Sequence, residues 1–266
     1  MDPQEQRAFF EDRGYLVVED LLSPNEIVDY QHEIQRLHQL AAHMEARSDQ
    51  RSSHFQHEPF AKDQHRDGLP VLRKIENTRL LSEHFSCLAA HPRLVATVQN
   101  LIGDDLLLFR STLMLKPARH GSAHALHQDS AYWPMEPPTL VTTSIALDDA
   151  TPENGCIKVI PSSHHWGLQE WGHIAQDQDA PLTHRDDIDL RDPIDVPLKA
   201  GSAVLFHSLT VHGSGPNQTD HSRNTALYAY FSPRVRYVPR AGGPREKAFP
   251  VIAGLDGAQE HTLVAS

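Results

Sequence analysis

From Asp105 onward the chain breaks into short β-rich runs, at 105–116, 139–148, 155–160, 194–198, 201–207, 209–213 and 224–232. Clusters of Gly, Pro, Asn and Asp separate them, and many short strands with that punctuation predict a sandwich or barrel. A double-sheet jelly roll of the cupin kind, a double-stranded β-helix, suits such a succession of strands. The fold class expected is mainly β with flanking α-helices.

The residues before this point have a different texture. Residues 4–46 predict helix, short strand, helix. Gly14 breaks the first helix, Tyr15-Leu16-Val17-Val18 is β-rich, and Ser23-Pro24-Asn25-Glu26 is a capping box with proline at N1. Ile27, Tyr30, Ile34, Leu37 and Ala41 then recur at helical spacing. Residues 47–70 are polar and aperiodic, which predicts a mobile loop or lid. Val71 to Ile75 suits a short strand, and Pro92 starts a helix that Gly103 stops. An acidic segment at 176–193 interrupts the β-rich part. The expected layout is one domain over 1–266: a mostly helical part at 1–104, a barrel at 105–238 with an insertion at 165–193, and a tail at 239–266.

At 266 residues the chain suffices for one large β-rich domain. Its longest apolar runs, such as Leu106-Leu107-Leu108-Phe109, fall far short of the ~20 residues that span a bilayer. The polar start Met1-Asp2-Pro3-Gln4-Glu5-Gln6-Arg7 does not resemble a signal peptide. A cytoplasmic protein without membrane contact is expected. The formal charge of −11 argues against binding nucleic acid through its phosphates. Cys87 and Cys156 form no CxxC motif, so both are expected as buried free thiols in a reducing compartment. The 19 histidines are an unusual number, and metal ligands among them have to be chosen by context.

An HxD triplet is a weak signal, and the chain has three. His65-Arg66-Asp67 lies in the aperiodic loop and His184-Arg185-Asp186 in the acidic segment, where no rigid element would hold a ligand. His127-Gln128-Asp129 follows the run ending in Met114-Leu115-Lys116-Pro117 and precedes Ala131-Tyr132-Trp133. On a strand, residues i and i+2 share a face, so His127 and Asp129 would point at one ion. A surface His–Asp pair is the bland alternative. The third ligand has to come from a distant strand, and His207 and His212 both qualify. His212 opens the turn run Gly213-Ser214-Gly215-Pro216-Asn217 and so stands near an open end, whereas His207 is embedded among apolar residues like a hydrogen-bonded core histidine. Two imidazoles and one carboxylate cover one face of an octahedral ferrous ion and leave the other open, the triad of non-heme iron oxygenases. Arg223 opens an apolar strand, and a buried guanidinium is costly without an anion. An internal Asp or Glu would serve. So would the far carboxylate of 2-oxoglutarate, which suits arginine's planar fork.

Further segments extend the pattern in order along the chain. They are Phe9 through Val18 with Leu21-Leu22-Ser23, Lys116-Pro117, Ile145 through Cys156, Val159-Ile160-Pro161-Ser162-Ser163-His164, and Gly201 through Asn217. With these the sequence resembles, over most of its length, the phytanoyl-CoA dioxygenase family of Fe(II)/2-oxoglutarate-dependent oxygenases. The resemblance implies that His127, Asp129 and His212 bind Fe(II) and that Arg223 and Ser214 hold 2-oxoglutarate. It further implies that Lys74 is the family's lysine near that co-substrate. Two departures concern the pocket: Ser144 stands where several members carry a tryptophan, and Ser162 replaces the usual glycine of the PGSH stretch.

The implied activity is an O2-dependent oxidation of a small molecule with release of succinate and CO2. Related halogenases lack the carboxylate ligand, so Asp129 favours hydroxylation of an unactivated C–H bond, with desaturation or rearrangement left open. Substrate candidates are Tyr132, Trp133, Arg73, His120 and Trp166, with His124, Arg79 and His165 nearby in sequence. The acidic surface speaks for a small free molecule, an amino-acid derivative or natural-product intermediate, over a coenzyme A thioester. A cupin-like metal-dependent binding protein or isomerase, which would not require Arg223, and an inactive scaffold are the competing classes. A structural zinc site fits least, because such sites are usually tetrahedral and rich in cysteine. Oligomeric state is not legible.

Overall fold

The computed structural model describes residues 1–62, 64–169, 193–239 and 241–265. The acidic stretch from 176 to 192, with its His184-Arg185-Asp186 triplet, lies outside the described residues. Among the described residues, eight strands form the two sheets of a double-stranded β-helix. Leu106–Lys116, Val141–Ala146, Ala203–His207 and Arg223–Phe231 belong to the larger sheet. His124–His127, Ile157–Val159, Ile194–Val196 and His212–Ser214 make the smaller one.

The larger sheet sorts its side chains by the two-residue period of a strand. Leu113, Leu115, Ile145, Leu205, Ala226, Tyr228 and Tyr230 face outward into a core shared with the helices. Tyr30, Ile34, Leu37 and Ala41 of the Pro24–Ala46 helix meet them there, as their spacing predicts, with Phe85 and Leu88 of the Glu83–Ala89 helix. Each such side chain contributes roughly 1.5–3 kcal/mol through burial. The tyrosine hydroxyls remain satisfied: Tyr228 donates to the Phe85 carbonyl and Tyr230 to the Ala89 carbonyl, both at 2.8 Å. The alternate residues, among them Thr112, Lys116, Ser144, Arg223 and Thr225, turn inward and line a cavity.

The helical part follows its capping signals. Ser23 Oγ accepts from the Glu26 amide, and the Glu26 carboxylate accepts from the Ser23 amide at 2.8 Å. Gly14 ends the Pro3–Arg13 helix with φ +75°, and Tyr15–Val18 then pairs with Ala203–His207 as an edge of the larger sheet. The helix Pro92–Ile102 stops at Gly103.

Three expectations are corrected. The described residues of 47–70 are not an aperiodic loop. Phe55–His57 pairs with Leu72–Glu76, His65–Arg66 pairs with Leu69–Pro70, and Phe55, Glu58 and Ala61 are buried. The C-terminal stretch is not a tail but a hairpin, Glu246–Ala253 with Glu260–Val264, added to the larger sheet beside Leu106 and Leu107. Packing explains it, because Phe249 is buried against Phe231, Tyr237 and Phe109. Cys87 is exposed, since Phe85, Leu88 and Ala89 occupy the buried face of its helix; Cys156 is a buried free thiol as expected. No helix among the described residues is long and apolar enough to cross a membrane.

Candidate metal centre and its cavity

The smaller sheet sets two imidazoles side by side. His127 ends one strand and His212 begins another, and they are direct cross-strand partners with ring centroids 4.3 Å apart. Each ring holds its Nδ1 at 2.9 Å from the carbonyl two residues before it, Ala125 for His127 and Thr210 for His212. A carbonyl only accepts, so Nδ1 carries the proton and Nε2 keeps its lone pair for a ligand.

Asp129 arrives by another route than the strand alternation expected of it. The strand stops at His127, and Asp129 opens a 3-10 turn, Asp129–Ala131. Gln128, fully buried, pins this turn by donating to the carbonyls of Leu209 at 2.7 Å and Gly167 at 3.0 Å. Asp129 Oδ1 thereby lies 3.6 Å from His127 Nε2 and 3.9 Å from His212 Nε2. The three candidate ligand atoms fall within 4.8 Å of one another. Its other oxygen, Oδ2, accepts from Thr142 Oγ1 at 2.7 Å.

The electrostatics suit a cation. Burial on its own would raise the Asp129 carboxyl, but His212, His127 and the Thr142 hydroxyl outweigh it and hold the group well below the usual carboxylate range. Burial, reinforced by His127, pushes His212 down to about 4. At neutral pH the pair is thus a charged carboxylate beside a neutral imidazole, the protonation states that metal binding needs.

A cavity of about 300 Å³ runs between the sheets from this point to Arg223. Arg223 is buried; Nη2 donates to the Gly155 carbonyl at 2.6 Å and Nη1 to Thr225 Oγ1 at 3.1 Å. Its Nε is buried without a partner, and no carboxylate forms an ion pair with it among the described residues. Burial pushes the guanidinium down to about 10, against the opposing pull of Cys156 and Asp148. Ser214 and Ser144 line the same cavity. Lys74 lines it too, with Nζ 2.5 Å from Glu76 Oε1.

Among the substrate candidates, Tyr132, Trp133, Arg73 and His124 line the cavity. His120 is exposed, turning Nδ1 onto the Ala118 carbonyl, while His165 and Trp166 stand exposed on the Ser163–Trp166 turn and Arg79 also lies off the lining. His207 is held in the core, its Nδ1 accepting from the Leu209 amide at 3.1 Å. Ser162 adopts φ +63°, the left-handed region that glycine favours, with its hydroxyl donating to the Asp12 carbonyl. Sequence reasoning missed Thr142, Lys116 and Arg110. Lys116 ends the long strand with Nζ 2.6 Å from the carbonyls of both Ser122 and Gly215, tying together the loops beside the two histidine strands. A lysine closing an apolar run was the available signal.

Residues 10–225 match the family model described as Phytanoyl-CoA dioxygenase (PhyH). The peroxisomal phytanoyl-CoA dioxygenase of Rattus norvegicus is 26% identical over 260 residues, spanning 91% of this chain and 72% of that protein. The ectoine dioxygenase of Nocardia farcinica is 27% identical over 244 residues, spanning 86% and 77%. Among solved structures, EctD from S. alaskensis with bound Fe aligns with a TM-score of 0.68 at 25% identity, covering 90% of this chain and 81% of that one.

Proposed function

Since the chain belongs to the phytanoyl-CoA dioxygenase family, we propose that it is an Fe(II)- and 2-oxoglutarate-dependent dioxygenase that hydroxylates an unactivated C–H bond of a small molecule. One observation carries this reading. Three ligand atoms gather within 4.8 Å at one end of a cavity whose other end holds a buried arginine with an orphaned Nε. A 2-His-1-carboxylate donor set with both Nε2 lone pairs free fits Fe(II), and an unpartnered guanidinium nitrogen fits a carboxylate. When bound, Fe(II) with 2-oxoglutarate and O2 supplies the oxidative decarboxylation to succinate and CO2 and the oxidant for the substrate.

The chain's own residues hold and orient. His127 and His212 would bind through Nε2 and Asp129 through Oδ1, with Thr142 keeping Oδ2 turned away. Arg223 would take the far carboxylate of 2-oxoglutarate, with Ser214 and Lys74 beside it. Met114, Ile157, Phe206 and Leu227 give the lining an apolar part that limits water. The cavity volume lies at the small end of the range for small-molecule sites, which favours an amino-acid derivative or natural-product intermediate. The two free thiols suit a reducing, cytoplasmic setting.

Calorimetry with 2-oxoglutarate in the presence of inert Mn(II) tests the co-substrate assignment. Wild type should bind, and Arg223→Ala should lose about 2–5 kcal/mol of that affinity, the usual cost of truncating a buried charge pair. No binding, or equal binding by the variant, would favour a cupin-like protein without oxygen chemistry. Asp129→Ala should abolish substrate-dependent succinate formation, and full retention would overturn the ligand assignment.

A further inference from the structure

The cavity is basic in a protein that is acidic overall. Among the described residues, Arg73, Lys74, Arg110, Lys116 and Arg223 line it against the single carboxylate of Asp129, while the chain carries a formal charge of −11. Lys247 stands close by, its Nζ 5.3 Å from the centre of the Phe109 ring, which packs on Trp133 of the cavity wall at 4.8 Å.

Pairing these charges leaves a remainder. Asp129 and a dianionic co-substrate offset a divalent ion and Arg223. Glu76 lies 2.5 Å from Lys74 and 3.5 Å from Arg110, so it offsets one of those two. Glu58, fully buried behind the wall, offsets Arg73, and burial disfavours the charged form of Lys116, whose Nζ is held by two carbonyls. Among the described residues one positive charge is left over, shared by Lys74 and Arg110, before Lys247 is counted. Arg110 carries it away from the co-substrate end. Lys116 is the strand partner of Arg223, and Arg110 stands six residues earlier on the same strand, roughly 20 Å along at the rise of a β-strand. The Arg110 side chain is 35% exposed, which marks the open end.

Arg73, level with Leu115 rather than with Arg110, adds an unmet donor to the basic lining deeper in the cavity. It is 9% exposed, and its Nη2 donates to His124 Nδ1 at 3.0 Å and more weakly to the Ala123 carbonyl at 3.4 Å. Among the described residues its Nη1 is buried with no acceptor. An unmet buried donor of this kind costs about 1–3 kcal/mol, which an arriving oxyanion would recover.

We propose that the primary substrate is an anion, whose carboxylate, phosphate or sulfate group is held by Arg110 at the open end of the cavity while its reacting C–H bond faces the His127–Asp129–His212 point. The proposal rests on the oxygenase reading and names the substrate class for it. Trp133 reports the local charge directly once Trp166 and Trp171 are replaced by Phe. With Mn(II) and 2-oxoglutarate bound, iodide should quench Trp133 roughly tenfold more efficiently than caesium at low salt, because charged clefts concentrate counter-ions. Arg110→Gln, at a half-exposed position that leaves the core intact, should cut that ratio severalfold. Small carboxylic acids tested beside their amides and methyl esters should stimulate succinate release where the neutral forms do not. Equal quenching by the two ions, a ratio unchanged in Arg110→Gln, or stimulation by the amide equal to that by the acid would each overturn the proposal. Failure to bind 2-oxoglutarate would overturn the oxygenase reading instead, and the iodide-to-caesium ratio of the metal-free protein would still decide whether the open end attracts anions.

Discussion

Thr142→Val separates holding a metal ligand from merely packing near it. The Thr142 hydroxyl donates to Asp129 Oδ2 at 2.7 Å in a fully buried setting, and this leaves Oδ1 to face the two Nε2 atoms. Valine keeps the shape and removes the donor. A hydrogen bond to a charged acceptor contributes about 1.5–3 kcal/mol. Loss of a group that orients a metal ligand costs about 10–100-fold in metal affinity, or roughly 1.4–2.8 kcal/mol at 1.4 kcal/mol per decade. The two routes agree, so the Mn(II) dissociation constant should rise by at least about tenfold, measured by calorimetry at neutral pH. The next residue supplies the control. Thr143 points to the helix side of the same strand, and its hydroxyl donates to the Tyr228 carbonyl at 3.3 Å. Thr143→Val should lower stability by about 1 kcal/mol and leave Mn(II) affinity unchanged. An unaltered dissociation constant in Thr142→Val, or an equal loss in Thr143→Val, would refute the reasoning.

Two further outcomes follow from burial and backbone geometry. Burial pushes His212 and His207 from 6.5 down to about 4. Between those values the unfolded chain binds protons that the fold refuses, so stability is highest above the window and is lost as pH falls through it. Metal-free protein should melt at a lower temperature at about pH 4.5 than at about pH 7, and Mn(II) should steepen the dependence, because protons compete for Nε2; a flat melting temperature would contradict this. Gly14→Ala places a methyl 2.4 Å from His164 Nδ1 and 2.6 Å from Thr210 Oγ1 at φ +75°. It should cost about 2 kcal/mol or more in thermal unfolding, and an unchanged melting temperature would show that this corner yields.

Most barrel strands are legible because a turn residue ends them: Arg223–Phe231 and Ala203–His207 fall within two residues of the runs marked by punctuation. His124–His127 is not legible. It pairs with His212–Ser214 at only two positions across a register shift, and His-Ala-Leu-His carries no β-branched residue. The three candidate ligands are legible, yet strand alternation reaches Asp129 for the wrong reason, since a turn pinned by Gln128 delivers it. The inward polar row is the deeper case. Alternating polar residues ordinarily mark the solvent face of an antiparallel sheet, and nothing within Leu106–Lys116 alone tells that face from the wall of an internal cavity. The helices decide it. Once they cover Leu113, Leu115, Tyr228 and Tyr230, the opposite row has to find partners inside the barrel. Most of its members do: Thr112 and Arg110 take Glu76, Lys116 takes two carbonyls, and Thr225 takes the Met114 carbonyl. The groups left over among the described lining residues, Arg223 Nε, Arg73 Nη1 and Ser122 Oγ, mark where the fold's own hydrogen bonding ends. Two of these groups are guanidinium nitrogens and suit anions, and a dicarboxylate reaching from Arg223 to the metal point would satisfy the first and leave the second.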